Sequence, residues 1–99
     1  MNSNSFDSTD YLILASITNG ITKYTSIFKN CKITNAGKFR DHVNKLENEN
    51  LITIDKNDNW FTRNTNPSII LKEDGEKFVK EHLDKINQEW KIHLDNANK

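Results

Sequence analysis

Residues 21–51, ITKYTSIFKNCKITNAGKFRDHVNKLENENL, constrain this chain more than any other part of it. Tyr24, Ile27 and Phe28 stand three and four residues apart, and Phe39, Val43 and Leu46 repeat that spacing, with Ala36 one turn earlier. Each set is the apolar stripe of a helix with one buried face. Asn30, Cys31, Lys32 and Ile33 between them leave room only for a tight turn. The spacing predicts a first helix over 23–30, capped by Thr22, and a second over 35–48, capped by Thr34 or Asn35. Gly37 permits close approach of a neighbouring backbone at the start of the second helix. Glu49 and Asn50 stop that helix, because asparagine ranks after glycine for a left-handed residue at a helix end. Leu51-Ile52-Thr53-Ile54 follows at once and reads as a strand, residues 55–67 (DKNDNWFTRNTNP) are turn-rich, and Ser68–Leu71 is the return strand. Trp60 and Phe61 in that long loop are placed to cover the sheet or to grip DNA sugars.

On the N-terminal side, Tyr11, Leu14, Ala15 and Thr18, widened by Ile13 and Ile17, predict a helix over 8–18. Asp7, Ser8 and Thr9 are its possible caps, and Asn19-Gly20 ends it. On the C-terminal side, Val79, Leu83, Ile86 and Trp90 space at four, three and four, and His93 or Leu94 continues the row. That heptad-like seam predicts one helix over 73–95. At 1.5 Å per residue it is about 30 Å long and outruns a three-helix core. Its distal apolar residues need a partner. A second copy of the chain is the economical one, pairing through Val79, Leu83, Ile86, Trp90 and Leu94; folding back over the first helix is the alternative. The reading is an α+β chain, mostly α, with a disordered N-terminus over 1–7, a domain over 8–72, a dimerisation helix over 73–95 and a tail over 96–99.

Ninety-nine residues allow one domain, and a domain this small gains stability by dimerising. The chain is neutral as a whole, but its charge is not spread evenly. Residues 21–72 carry Lys23, Lys29, Lys32, Lys38, Arg40, Lys45, Lys56, Arg63 and Lys72 against Asp41, Glu47, Glu49, Asp55 and Asp58, a balance of +4 against −4 in the flanks. That asymmetry has the direction a duplex-binding surface needs. The N-terminus has neither the basic nor the apolar region of a signal peptide, and no apolar run reaches bilayer length, so a cytoplasmic protein without membrane contact is expected. Cys31 is the single cysteine, read as a half-buried turn residue, with an exposed redox sensor as the alternative. His42, His82 and His93 are far apart or on different faces, no glycine-rich phosphate loop or metal-ligand spacing occurs, and Asp7/Asp10 and Asp55/Asp58 are explained as a cap and a turn. No catalytic residues, metal or cofactor are therefore expected.

The string HVNKLENENLI is similar to the end of the recognition helix in MarR-, ArsR- and PadR-like regulators and in small archaeal winged-helix proteins, with Val43, Leu46, Leu51 and Ile52 at the apolar positions and Asn50 where glycine is usual. LKEDGEKFV resembles the start of their last helix: Leu71 and Gly75 match, and Lys72 replaces a capping threonine. NGITKYTSIFKN resembles their second helix, closest to the archaeal group with a C-terminal dimer helix. The resemblance covers about residues 8–83. It implies a winged helix-turn-helix fold of three helices and a β-hairpin wing, with Ile21 adding a minimal third strand to the wing. It implies a transcriptional regulator that binds double-stranded DNA as a homodimer.

On that fold, Lys38 and Arg40 are expected to donate to guanine or phosphate, and Asn35, His42 and Asn44 to read base edges. Thr34 and the free N–H groups at the helix start suit a phosphate. Lys23, Lys29 and Lys32 are expected near the DNA backbone, Lys45 in the same DNA-binding set, and Arg63 at the wing tip in a minor groove. Asp41 stands where these families often carry a basic residue and repels phosphate unless it pairs with Lys45. The competing readings are a protein-interaction winged helix, a chromatin-type protein, and an effector-sensing regulator with a pocket under the dimer helix, where Cys31 or Trp90 reports an unidentified small molecule.

Overall fold

A computed structural model describes residues 6–55 and 67–97. Its elements are α1 (Ser8–Thr18), α2 (Tyr24–Cys31), α3 (Ala36–Asn48), β1 (Ile52–Asp55), β2 (Ser68–Leu71), α4 (Glu73–Glu81) and α5 (Leu83–Ala97). The chain is thus α+β and mostly helical, with a two-stranded antiparallel hairpin. No helix among the described residues is long and apolar enough to cross a membrane.

The hub is α1. Tyr11, Ile13, Leu14, Ala15 and Ile17 are all buried, together with Asp10 and Ser16. A helix buried on nearly every side needs neighbours all round, and α1 packs against α2, α3, α5 and β2. Asp7 caps it in a reciprocal box: Asp7 Oδ1 accepts from Asp10 N at 3.2 Å and Asp10 Oδ2 from Asp7 N at 2.9 Å. Phe6 packs edge-on against Phe78 at 5.1 Å between ring centroids. Phe6 and Asp7 are thus packed and bonded, which corrects the disorder expected over 1–7 at these two residues; residues 1–5 lie outside the described part, as do 98–99 of the expected tail.

Both α1 and α3 end in a Schellman motif. At α1, Ile21 N donates to Ser16 O (2.9 Å) and Gly20 N to Ile17 O (3.0 Å), with Gly20 left-handed at φ 89°. At α3, Leu51 N donates to Leu46 O (3.1 Å) and Asn50 N to Glu47 O (2.9 Å), with Asn50 at φ 66°. The asparagine does what glycine does not: its Nδ2 donates to Asp74 Oδ2 at 3.0 Å and its Oδ1 accepts from Lys72 Nζ at 2.5 Å. The end of α3 is thereby tied to the start of α4. Gly75 completes the joint, since a Cβ there would lie 1.9 Å from the Leu51 carbonyl oxygen, which already accepts from Lys72 N. Close backbone approach thus belongs to Gly75. At Gly37 a Cβ would meet only the capping oxygen of Asn35, 3.1 Å away, so the approach expected there is corrected.

In the hairpin Ile52 pairs with Leu71 and Ile54 with Ile69, so these four share one face, with Ile52 and Ile69 fully buried. The third-strand position falls on Thr22 and Lys23 rather than Ile21. Ile69 N donates to Thr22 O at 2.7 Å, Tyr24 N to Pro67 O at 2.9 Å, and Lys23 bridges Ser68. Ile21 has its N–H committed to the end of α1. Thr22 is not the cap of α2, which starts after Lys23 with no side-chain cap.

The helix expected over 73–95 is two helices. The chain leaves helical geometry at His82 (φ −118°, ψ 28°), whose N–H and ring Nδ1 both reach the Phe78 carbonyl at 3.0 Å. The bend lets α5 lie along α1. Ile86 is 1 % exposed and Val79 7 %, both inside the chain's own core, and Trp90 packs half-buried against it. The seam assigned to a second copy is thus largely used within the chain, because folding back buries these residues without a partner. Leu83 (44 % exposed) and Leu94 (45 %) remain outside, as does Ile92 (45 %).

Candidate nucleic-acid interface

Phe39, Val43 and Leu46 anchor α3 in the core, and the residues between them point outward or sideways. Asn35 is its cap: Oδ1 accepts from Gly37 N at 2.8 Å and Lys38 N at 3.2 Å. The asparagine oxygen and two of the N–H groups expected to meet a base and a phosphate are thus engaged with each other. Thr34, Lys38, Arg40, Asp41 and Asn44 are exposed, as are Lys23, Lys29 and Lys32 on α2 and its end. Lys32 closes α2 in the left-handed conformation at φ 54°.

His42 and Lys45 stand apart from this set. Asp10 of α1 is fully buried, yet it carries a carboxylate. His42 Nδ1 donates to Asp10 Oδ1 at 2.8 Å and Lys45 Nζ lies 2.6 Å from Asp10 Oδ2. The Lys45 ammonium also lies 5.4 Å from the centre of the Phe6 ring. A buried carboxylate is tolerated only when paired and hydrogen-bonded, and these two side chains do the pairing. The structure thus places both against α1, bonded to Asp10, rather than with the exposed set expected at DNA. The signal was present in the sequence. Asp10 precedes Ile13, Leu14 and Ile17 by three, four and seven residues, which puts an acid on an apolar stripe. An acid there needs a cation from the facing helix.

The other flank of α3 borders a cleft of about 280 Å³ lined by Tyr24, Arg40, Asn44, Glu47, Ile54 and Pro67, with Val43 at its floor. The cleft therefore lies between α3, the start of α2 and the hairpin. Arg63, Trp60 and Phe61 lie outside the described residues.

Asp7, Asp10 and His42 present ligand atoms within 4.8 Å of one another, the spacing of a small metal site. The Lys45 ammonium already supplies the positive charge at Asp10, so the cluster reads as an ion-pair network. Cys31 lines a second cleft, of about 210 Å³, between the start of α1, the end of α2 and α5. Burial first, and then the negative charge of Asp10, push its thiol from 9.0 up to about 12. Such a thiol stays protonated at neutral pH, which goes against the exposed redox-sensor alternative; Cys31 is half-buried as expected, but it is the last residue of α2 rather than part of the turn.

No family model matches the chain, and no curated protein or solved structure matches it.

Proposed function

We propose that this chain is a winged helix-turn-helix protein that binds double-stranded DNA and acts as a transcriptional regulator. In this reading α1–α3 are the helical core, α3 enters the major groove, and β1–β2 form the base of the wing. The observation that carries it is the placement of Arg40 and Asn44 on an exposed flank of α3, directly after a tight turn and beside the hairpin. Lys38 shares the exposed face, and Lys23, Lys29 and Lys32 supply the cations that hold the phosphate backbone. The homodimer is supported by what α5 leaves uncovered, Leu83, Ile92 and Leu94, a smaller seam than a free-standing dimer helix would offer.

The test is a titration of mixed-sequence duplex at about 50 and 200 mM salt. If the four lysines Lys23, Lys29, Lys32 and Lys38 each neutralise one phosphate, affinity falls by about two orders of magnitude across that range. Arg40→Ala or Lys38→Ala weakens binding by about 1–3 kcal/mol where either reads a base. Absence of binding at the lower salt overturns the reading.

A protein-interaction role is the second reading, and one observation favours it: Asp41 and Glu47 lie exposed on the same helix as Arg40, and acids facing outward repel phosphate. A chain that ignores duplex at low salt but holds one stoichiometric protein partner decides for it.

A further inference from the structure

We infer that, beyond the first turn of α3, the donors that read bases are Arg40 and Asn44, on a site that offers a guanine and an adenine, and that Asp10 is the positioning residue that keeps His42 and Lys45 out of it. This rests on the DNA-binding reading above. Six polar side chains of α3 lie after its first turn and before its last residues: Arg40, Asp41, His42, Asn44, Lys45 and Glu47. Asp10, fully buried on α1, takes two of them at 2.8 and 2.6 Å. Asp41 and Glu47 can only accept, so neither holds a phosphate or the acceptor edge of guanine, and the base edge they suit is the amino group of cytosine. The donors left are a guanidinium and a carboxamide.

Arg40 and Asn44 are one helical turn apart on one flank and border the same cleft. Four residues advance about 6 Å along the axis, and stacked bases lie about 3.4 Å apart. The pair therefore reaches neighbouring or next-nearest base pairs. Arginine matches the two acceptors on the major-groove edge of guanine, and asparagine matches the acceptor and donor of adenine. Tyr24, Ile54 and Pro67 wall the cleft beside them and offer an apolar surface to the methyl group of the thymine opposite that adenine.

Lys45 is the contrast. Its charge would serve any phosphate, yet its ammonium sits on Asp10. His42 is likewise a possible base reader whose Nδ1 is spent on the same carboxylate. The preference of the protein is thus set by the buried acid as much as by the exposed side chains, because the acid decides which polar residues of α3 are free to meet DNA.

The experiment is selection of binding sites from duplex with a randomised centre, at low salt, with the full chain and three variants. The wild type is expected to enrich a site with a fixed guanine and a fixed adenine one or two steps apart. Asn44→Ala loses the adenine, with discrimination there falling by at least about fivefold, and Arg40→Ala loses the guanine. Lys45→Gln, which keeps a donor for Asp10 without the charge, selects the wild-type site and leaves the salt slope unchanged while lowering the melting temperature. If Lys45→Gln does not fold, Lys45→Arg replaces it and must also select the wild-type site. Asn44→Ala and Arg40→Ala selecting the wild-type site, or a Lys45 variant shifting it, overturns the inference. Binding without any preference overturns it and leaves DNA binding standing, whereas no binding to any duplex overturns both.

Discussion

The two flanks of α3 are written in the same kind of residues and do different things. Toward α1 stand His42 and Lys45, both bonded to a carboxylate with no exposure at all. Toward the hairpin stand Arg40 and Asn44, on the rim of an open cleft. A polar helix face is therefore not one surface. What lies across from each residue decides whether it holds the fold or is free to meet a partner, and here a single buried acid makes the division.

The contrast breaks most visibly at the ion pair. Lys45→Met leaves the Asp10 carboxylate buried with His42 as its one remaining side-chain partner on α3, and is expected to cost about 3–5 kcal/mol in denaturant unfolding. Burial, and after it the charge of Asp10, holds the Cys31 thiol protonated, so alkylation at pH 8 should run at least about a hundredfold slower in the native protein than in the unfolded chain. The same raised value gives stability a sign. The protonated thiol is favoured in the fold, so its contribution is full below about pH 9 and is lost as pH rises from there toward 12. Loss of the Asn35 cap in Asn35→Ala should cost about 1 kcal/mol. Arg40→Ala and Asn44→Ala come last and should move stability by less than about 0.5 kcal/mol, since neither is buried. A large loss of stability from either would erase the distinction between the flanks.

Local pattern carried much of the fold into view. The limits of α1 and β2, and the stop at Asn50, follow from stripe spacing and turn chemistry, which are short-range properties of the text. The break at His82 was not legible, because no glycine or proline marks it and the apolar spacing of Val79, Leu83, Ile86 and Trp90 runs straight across it. Only the pull of α1 on Ile86 distinguishes one long helix from two short ones, and that is a long-range fact. Asp10 was half legible: its role in the capping box is local, whereas its pairing with His42 spans 32 residues. Asn50 shows the same division. Its left-handed backbone follows from its place at a helix end, but its bonds to Lys72 and Asp74 require α4 to be in position.

The measurement that tests the division most directly is the side-chain N–H spectrum of the protein during titration with duplex DNA. The Arg40 and Asn44 signals are expected to shift on binding, while the His42 ring and the Lys45 ammonium keep their positions. Shifts at His42 and Lys45 that equal or exceed those at Arg40 and Asn44 would contradict it, and would place the α1 side of α3 against the DNA.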